Sequence, residues 1–139
     1  MTREDPSLQR FLDKAYGYAV FPSVGKGGAG VGGAYGRGVV FDHGQPVGYS
    51  DLSQVTVGFQ LGGQEYAELI AFENEDALNK FKTGKFAFSA NASAVALKAG
   101  AADAVNYDNG VAVFTKPEGG LMFEASIGGQ KFSYKSKSS

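Results

Sequence analysis

Residues 25–41 read Gly-Lys-Gly-Gly-Ala-Gly-Val-Gly-Gly-Ala-Tyr-Gly-Arg-Gly-Val-Val-Phe, and no other stretch limits the fold as much. Strand side chains alternate between two faces. At period two, one face carries Gly28, Gly30, Gly32, Ala34, Gly36 and Gly38. The other carries Ala29, Val31, Gly33, Tyr35, Arg37, Val39 and Phe41. As a strand, this stretch therefore has one face with almost no side chains. Strand glycine marks a bulge, a bend, or a close approach to the backbone. Close packing by a helix or a second sheet layer is the commoner reason. The alternative is a shallow seat for a flat or long apolar ligand such as an acyl chain.

Gly28-x-Gly30-x-x-Gly33 also fits a dinucleotide fingerprint, which needs a helix opening at the motif. The next residues are Ala-Tyr-Gly-Arg-Gly-Val-Val-Phe, strand-like and too glycine-rich to start a helix. No Gly-Lys-Ser/Thr closes a phosphate loop either.

The length of 139 residues predicts one domain over 1–139. The 21 glycines are spread without a period, which excludes collagen, and 11 Phe with 7 Tyr favour β-structure. With no cysteine there is no disulfide framework, thiolate nucleophile or cysteine–zinc site. A net charge of −1 argues against a nucleic-acid partner, and no apolar run is long enough for a transmembrane segment. The charge is segregated, however. Residues 39–79 contain no Lys or Arg but seven acids; residues 77–102 contain no acid but carry Lys80, Lys82, Lys85 and Lys98. Lys131, Lys135 and Lys137 lie near the end.

Along the chain, Leu8, Phe11, Leu12 and Ala15 form an apolar stripe, predicting a short helix over 7–15 capped by Ser7. Residues 16–21 read as a strand stopped by Pro22. The Gly-rich strand runs to Phe41, and Asp42-His-Gly-Gln-Pro46 is a turn. Strands are expected at 47–52, 54–61 and 64–72, with Tyr66, Ile70 and Phe72 on one face. Asn74 to Gly84 has an Asn cap, acids first, lysines last and a closing glycine, the signals of a second helix. Residues 86–97 read as a strand, 111–116 and 121–127 as a hairpin, and 130–135 as the last strand before a flexible tail at 135–139. The sum is an α+β chain, mostly β: a strongly bent antiparallel or barrel-like sheet with two or three short helices.

Two local patterns bear on function. Phe59-Gln-Leu-Gly-Gly-Gln-Glu-Tyr66 and Ala125-Ser-Ile-Gly-Gly-Gln-Lys-Phe132 echo each other, which fits a glycine-permitted bend and is assigned no chemistry. Lys80-Phe-Lys-Thr-Gly-Lys-Phe-Ala-Phe88 interleaves lysines with phenylalanines. Its plain reading is a helix end leading into core phenylalanines. Its functional reading is a basic rim beside exposed aromatics, facing an anionic lipid surface. Catalytic residues are not expected. His43, the sole histidine, stands in the turn, and Glu65 with Glu68, or Asp103 with Asp108, read as solvated faces and turn residues.

Several segments together resemble the SYLF domain family. They are Lys14-Ala-Tyr-Gly-Tyr-Ala-Val-Phe-Pro-Ser23, Lys26-Gly-Gly-Ala-Gly-Val-Gly-Gly-Ala-Tyr-Gly-Arg-Gly38, Val57-Gly-Phe-Gln-Leu-Gly-Gly-Gln64 and Gly119-Gly-Leu-Met-Phe-Glu-Ala-Ser-Ile-Gly128. The match runs from about residue 8 to 134 in order. It implies a lipid-binding module without enzyme activity or cofactor; eukaryotic members recognise phosphoinositide membranes, and some bind actin. The chain looks like the stand-alone bacterial branch. This implies a cell-envelope or periplasmic place, in some members as a lipoprotein, with the signal segment outside these residues. The expected lipid-binding residues are Lys80, Lys82, Lys85, Phe86, Lys26 and Arg37, and Gly28, Gly30, Gly32, Gly36 and Gly38 form the structural glycine face. The alternative is a structural or adhesive envelope protein that binds a protein partner.

Overall fold

A computed structural model describes residues 6–26, 33–55, 66–89, 92–96, 105–117 and 124–137. Its elements, in chain order, are α1 (Pro6–Lys14), β1 (Gly17–Lys26), β2 (Gly33–Asp42), β3 (Gln45–Val55), β4 (Tyr66–Phe72), α2 (Glu75–Lys82), β5 (Ser93–Ala96), β6 (Val111–Pro117), β7 (Glu124–Ser126), β8 (Lys131–Phe132) and β9 (Lys135–Ser136). The strands form one sheet in the order β7-β5-β6-β4-β1-β2-β3-β8, with β9 also on β3. All pairs are antiparallel except β5–β6.

That order forces curvature. Laid flat, eight strands would span about 34 Å at ~4.8 Å spacing. Yet β7 and β8, at opposite ends of the order, are joined by residues 127–130 alone, which reach about 17 Å. The sheet therefore curls into a half-barrel. Residues 86–89 and Ala92 lie along the joining segment, with hydrogen bonds from Ile127 N to Ala92 O (3.0 Å), Phe88 N to Gln130 O (3.0 Å) and Phe132 N to Phe86 O (3.2 Å). The mostly-β, bent-sheet expectation is borne out.

Two apolar layers hold the sheet. On the inner face Phe21, Ile70, Phe72 and Phe132 pack with Leu78 and Phe81 of α2. On the outer face Leu8 and Phe11 of α1 cover Leu69, Ala71 and Phe114. β4 lies between the layers, so all seven of its residues are buried. Helix α2 starts where its sequence signals place it: the Asn74 side chain accepts a hydrogen bond from Ala77 N at 2.9 Å, and Gly84 takes φ 75° beyond the end. His43 (φ 51°) and Gly44 (φ 81°) form the turn between β2 and β3, the positive-φ pair that a two-residue hairpin loop requires.

Five local expectations are corrected. Helix α1 begins at Pro6, whose missing N–H is no loss in the first turn, so Ser7 lies inside the helix rather than capping it. Pro22 does not end β1. The register shifts between Val20 and Val24 against β2, and between Phe21 and Val24 against β4, and this bulge absorbs the missing donor. β3 is continuous through Ser53, with 56–61 outside the described residues. β6 and β7 are not a hairpin, because β5 lies between them, parallel to β6 and antiparallel to β7. The tail expected to fray is paired as far as Lys137, through β9 on Gly48 and Tyr49 and through Lys137 N to Val47 O at 2.9 Å.

Candidate functional site

The run Lys80 to Phe88 leaves α2 and turns onto the closing strand. Thr83 caps the helix, its hydroxyl donating to Lys80 O at 2.7 Å, and Gly84 reverses the chain. Residues 84–88 then run antiparallel to 130–134, with Ala87 bridged to Lys131. This pairing sets Lys131 beside the 84–88 segment, whereas Lys135 pairs with Tyr49 of β3. Lys80, Lys85, Lys131 and Lys135 are exposed. Lys82 is half-buried, with its Nζ 5.9 Å from the centre of the Tyr134 ring, a cation–π contact. None of these five makes an ion pair with another described residue. Lys80 and Lys85 flank an open concavity of about 320 Å³ shared with Thr83, Phe86 and Ala87.

Phe86 lies beneath this rim. It is half-buried, in a cluster with Phe81 (5.7 Å between ring centroids), Phe88 (5.1 Å) and Phe132 (5.8 Å). It packs against the core and remains partly exposed.

The other sequence candidates stand elsewhere. Arg37 is on the outer face of β2, its Nε donating to Asp51 Oδ1 at 3.1 Å. It shares a concavity of about 400 Å³ with Tyr49, Asp51, Ser133 and Lys135. Lys26 ends β1 opposite Ala34, and its side chain lies outside the described residues. Gly28, Gly30 and Gly32 also lie outside them. Gly36 and Gly38 face inward against the bulge of β1. A Cβ on Gly36 would meet Val24 Cγ2 at 2.7 Å; one on Gly38 would meet the Val20 carbonyl and the Phe21 ring, at 2.6 Å from Cδ2. At these two positions β1 itself occupies the space.

Sequence reasoning missed a second feature. Glu68, expected to be solvated, has no exposure at all, nor has Gln130 of the echo motif. Glu68 points inward from β4, paired across the sheet with Phe21 of β1 and Thr115 of β6. Gln130 Nε2 lies 2.8 Å from Glu68 Oε1, 3.2 Å from the Tyr66 hydroxyl and 3.3 Å from Gln54 Oε1. Gln54 Nε2 donates to Gly128 O at 3.2 Å. Burial disfavours the charged form and pushes the Glu68 carboxyl up to about 8, against the smaller opposing effect of the Gln130 bond. Burial and the nearby Glu68 charge hold the Tyr66 hydroxyl well above its ordinary range. Glu68 Oε2, Thr115 Oγ1 and Gln130 Oε1 find no hydrogen-bond partner among the described residues. The signal was available: Glu68 is in phase with Tyr66, Ile70 and Phe72, the apolar face of the strand pattern.

These features define a small curled-sheet domain with a basic rim and a polar seam. The family model Ysc84, described as Las17-binding protein actin regulator, matches residues 53–138, more than half of the chain. Beta cell expansion factor A of Aeromonas veronii is 31% identical over 131 residues, covering 93% of this chain and 49% of that protein. The chain thus spans about half the length of that relative. It belongs to the Ysc84 family, the family of the SYLF domain. Both the basic rim and the residues of the polar seam, except Phe21, fall inside the matched range. Among the described residues, no helix is long and apolar enough to cross a membrane.

Proposed function

We propose that this chain is a non-enzymatic module that binds an anionic lipid or membrane surface of the bacterial cell envelope. The observation that carries this reading is the open concavity that Lys80 and Lys85 flank and Phe86 lines, with Lys82 half-buried on the Tyr134 ring, and with none of the three lysines in an ion pair among the described residues. Each basic group near an anionic membrane contributes about 1 kcal/mol, screened by salt. Aromatic edges beneath such a rim supply the apolar part of a surface contact. Flotation with vesicles of phosphatidylcholine alone, or with added phosphatidylglycerol, tests it. The chain is expected to float with the anionic vesicles only. Absence from both, or equal binding to both, contradicts the reading.

A second reading has its own support. The family description names a protein partner and actin, and Tyr35 and Tyr49 are exposed beside Arg37 on the outer face of β2 and β3. Tyrosine and arginine dominate the binding energy of protein interfaces. On this reading the chain is a structural or adhesive envelope protein, and Tyr49→Ala weakens partner capture without changing vesicle binding.

A further inference from the structure

Residues 127–130 join the two ends of the strand order directly, so closure of the half-barrel depends on where this segment lies. Its hold on the opposite wall includes the Gln130 side chain, which reaches Gln54 of β3 and Tyr66 and Glu68 of β4, and the Gln54 bond to Gly128 O. We propose that this contact set is a proton-operated latch: residues 127–130 lie closed on β3 and β4 while the Glu68 carboxyl keeps its proton, and come away when the proton leaves to solvent.

The surroundings of Glu68 support this. Phe21 faces it from β1, Thr115 from β6, Gln54 from β3, Tyr66 from its own strand and Gln130 from the segment. Tyr66 is the one titratable group among these, and no ion pair joins Glu68 to a described residue. Among the described residues the carboxylate has one hydrogen-bond donor in this structure, the Gln130 amide. That NH₂ carries two hydrogens and is already shared among three oxygens. A buried charge so poorly paired must gain water or drive a rearrangement. β4 cannot yield easily, being paired on both edges by β1 and β6. The segment can: it contains Gly128 and Gly129, the latter at φ 83°. The seam around it also holds three oxygens without partners among the described residues.

Opening would uncover Phe88 and Phe132 next to Lys85 and Lys131. That consequence rests on the lipid-surface reading, whereas the latch does not. Pulse-labelled hydrogen exchange on the full chain at pH 6 and pH 9, corrected for intrinsic rates, tests it. In the wild type, protection of the Ile127, Gly129 and Phe132 amides is expected to fall at pH 9 at least tenfold more than protection in the β2–β3 hairpin. Glu68→Gln, which cannot ionise, is expected to keep its protection. Unchanged wild-type protection overturns the latch. So does an equal loss in Glu68→Gln, or a loss at these three amides no larger than the loss at the core amides of β4. Binding to phosphatidylglycerol vesicles over the same pH series reads the link to lipid separately, so the latch can hold while the lipid reading fails.

Discussion

Gln130, between β7 and β8, donates to Glu68 of β4 over 2.8 Å, and neither side chain has any contact with solvent. The two residues are 62 apart in sequence, so this hydrogen bond joins the closing segment to the middle of the sheet. Its energetics depend on the titration of Glu68.

The first prediction is a pH dependence of global stability. Glu68 is held at about 8 in the folded chain against an ordinary value of 4.5. The folded state therefore keeps a proton that the unfolded state has lost. The contribution is fully present below about pH 4.5 and is lost as pH rises through about 8. At about 1.4 kcal/mol per unit, the loss approaches about 5 kcal/mol as an upper bound. Glu68→Gln is expected to match the wild type near pH 4.5 in urea unfolding and to exceed it increasingly up to pH 8. A difference that stays constant with pH contradicts this.

The second prediction concerns the glycine face. Gly38→Ala places a methyl group against the Val20 carbonyl and the Phe21 ring, both in the β1 bulge. Backbone on one side and a fully buried ring on the other leave little room to relax. Overpacking of this kind costs about 1–3 kcal/mol, read as a lower urea midpoint. A midpoint equal to that of the wild type would show that the bulge gives way freely.

Much of the fold was legible because its signals are local. The Asn74 cap, the His43-Gly44 turn and the alternation in β4 each depend on a few neighbouring residues. Strand order was not legible. Placing β5 between β6 and β7 is a matter of long-range pairing, and nothing in residues 111–127 distinguishes it from a hairpin. Pro22 misled because a bulge can absorb a missing donor, and the bulge is set by the pairing of both neighbours. At the candidate site the lysines of residues 80–85 were visible as a cluster. That Lys131 stands beside them depends on the 84–88 segment meeting 130–134. Glu68 was misread by residue type. Its position in the alternation pointed inward, and in a strand buried on both faces position outweighs polarity.

The most direct test of lipid-surface binding is the affinity of Lys80→Glu/Lys82→Glu/Lys85→Glu for vesicles containing phosphatidylglycerol, measured by flotation beside the wild type. Circular dichroism serves as the check on folding, since Lys80 and Lys85 are exposed and Lys82 rests on the Tyr134 ring. At about 1 kcal/mol for each basic group, the loss is at least about a hundredfold, and wild-type binding itself weakens as salt rises. A folded variant that no longer floats is the expected result; a folded variant that binds these vesicles as the wild type does would contradict lipid binding through this rim.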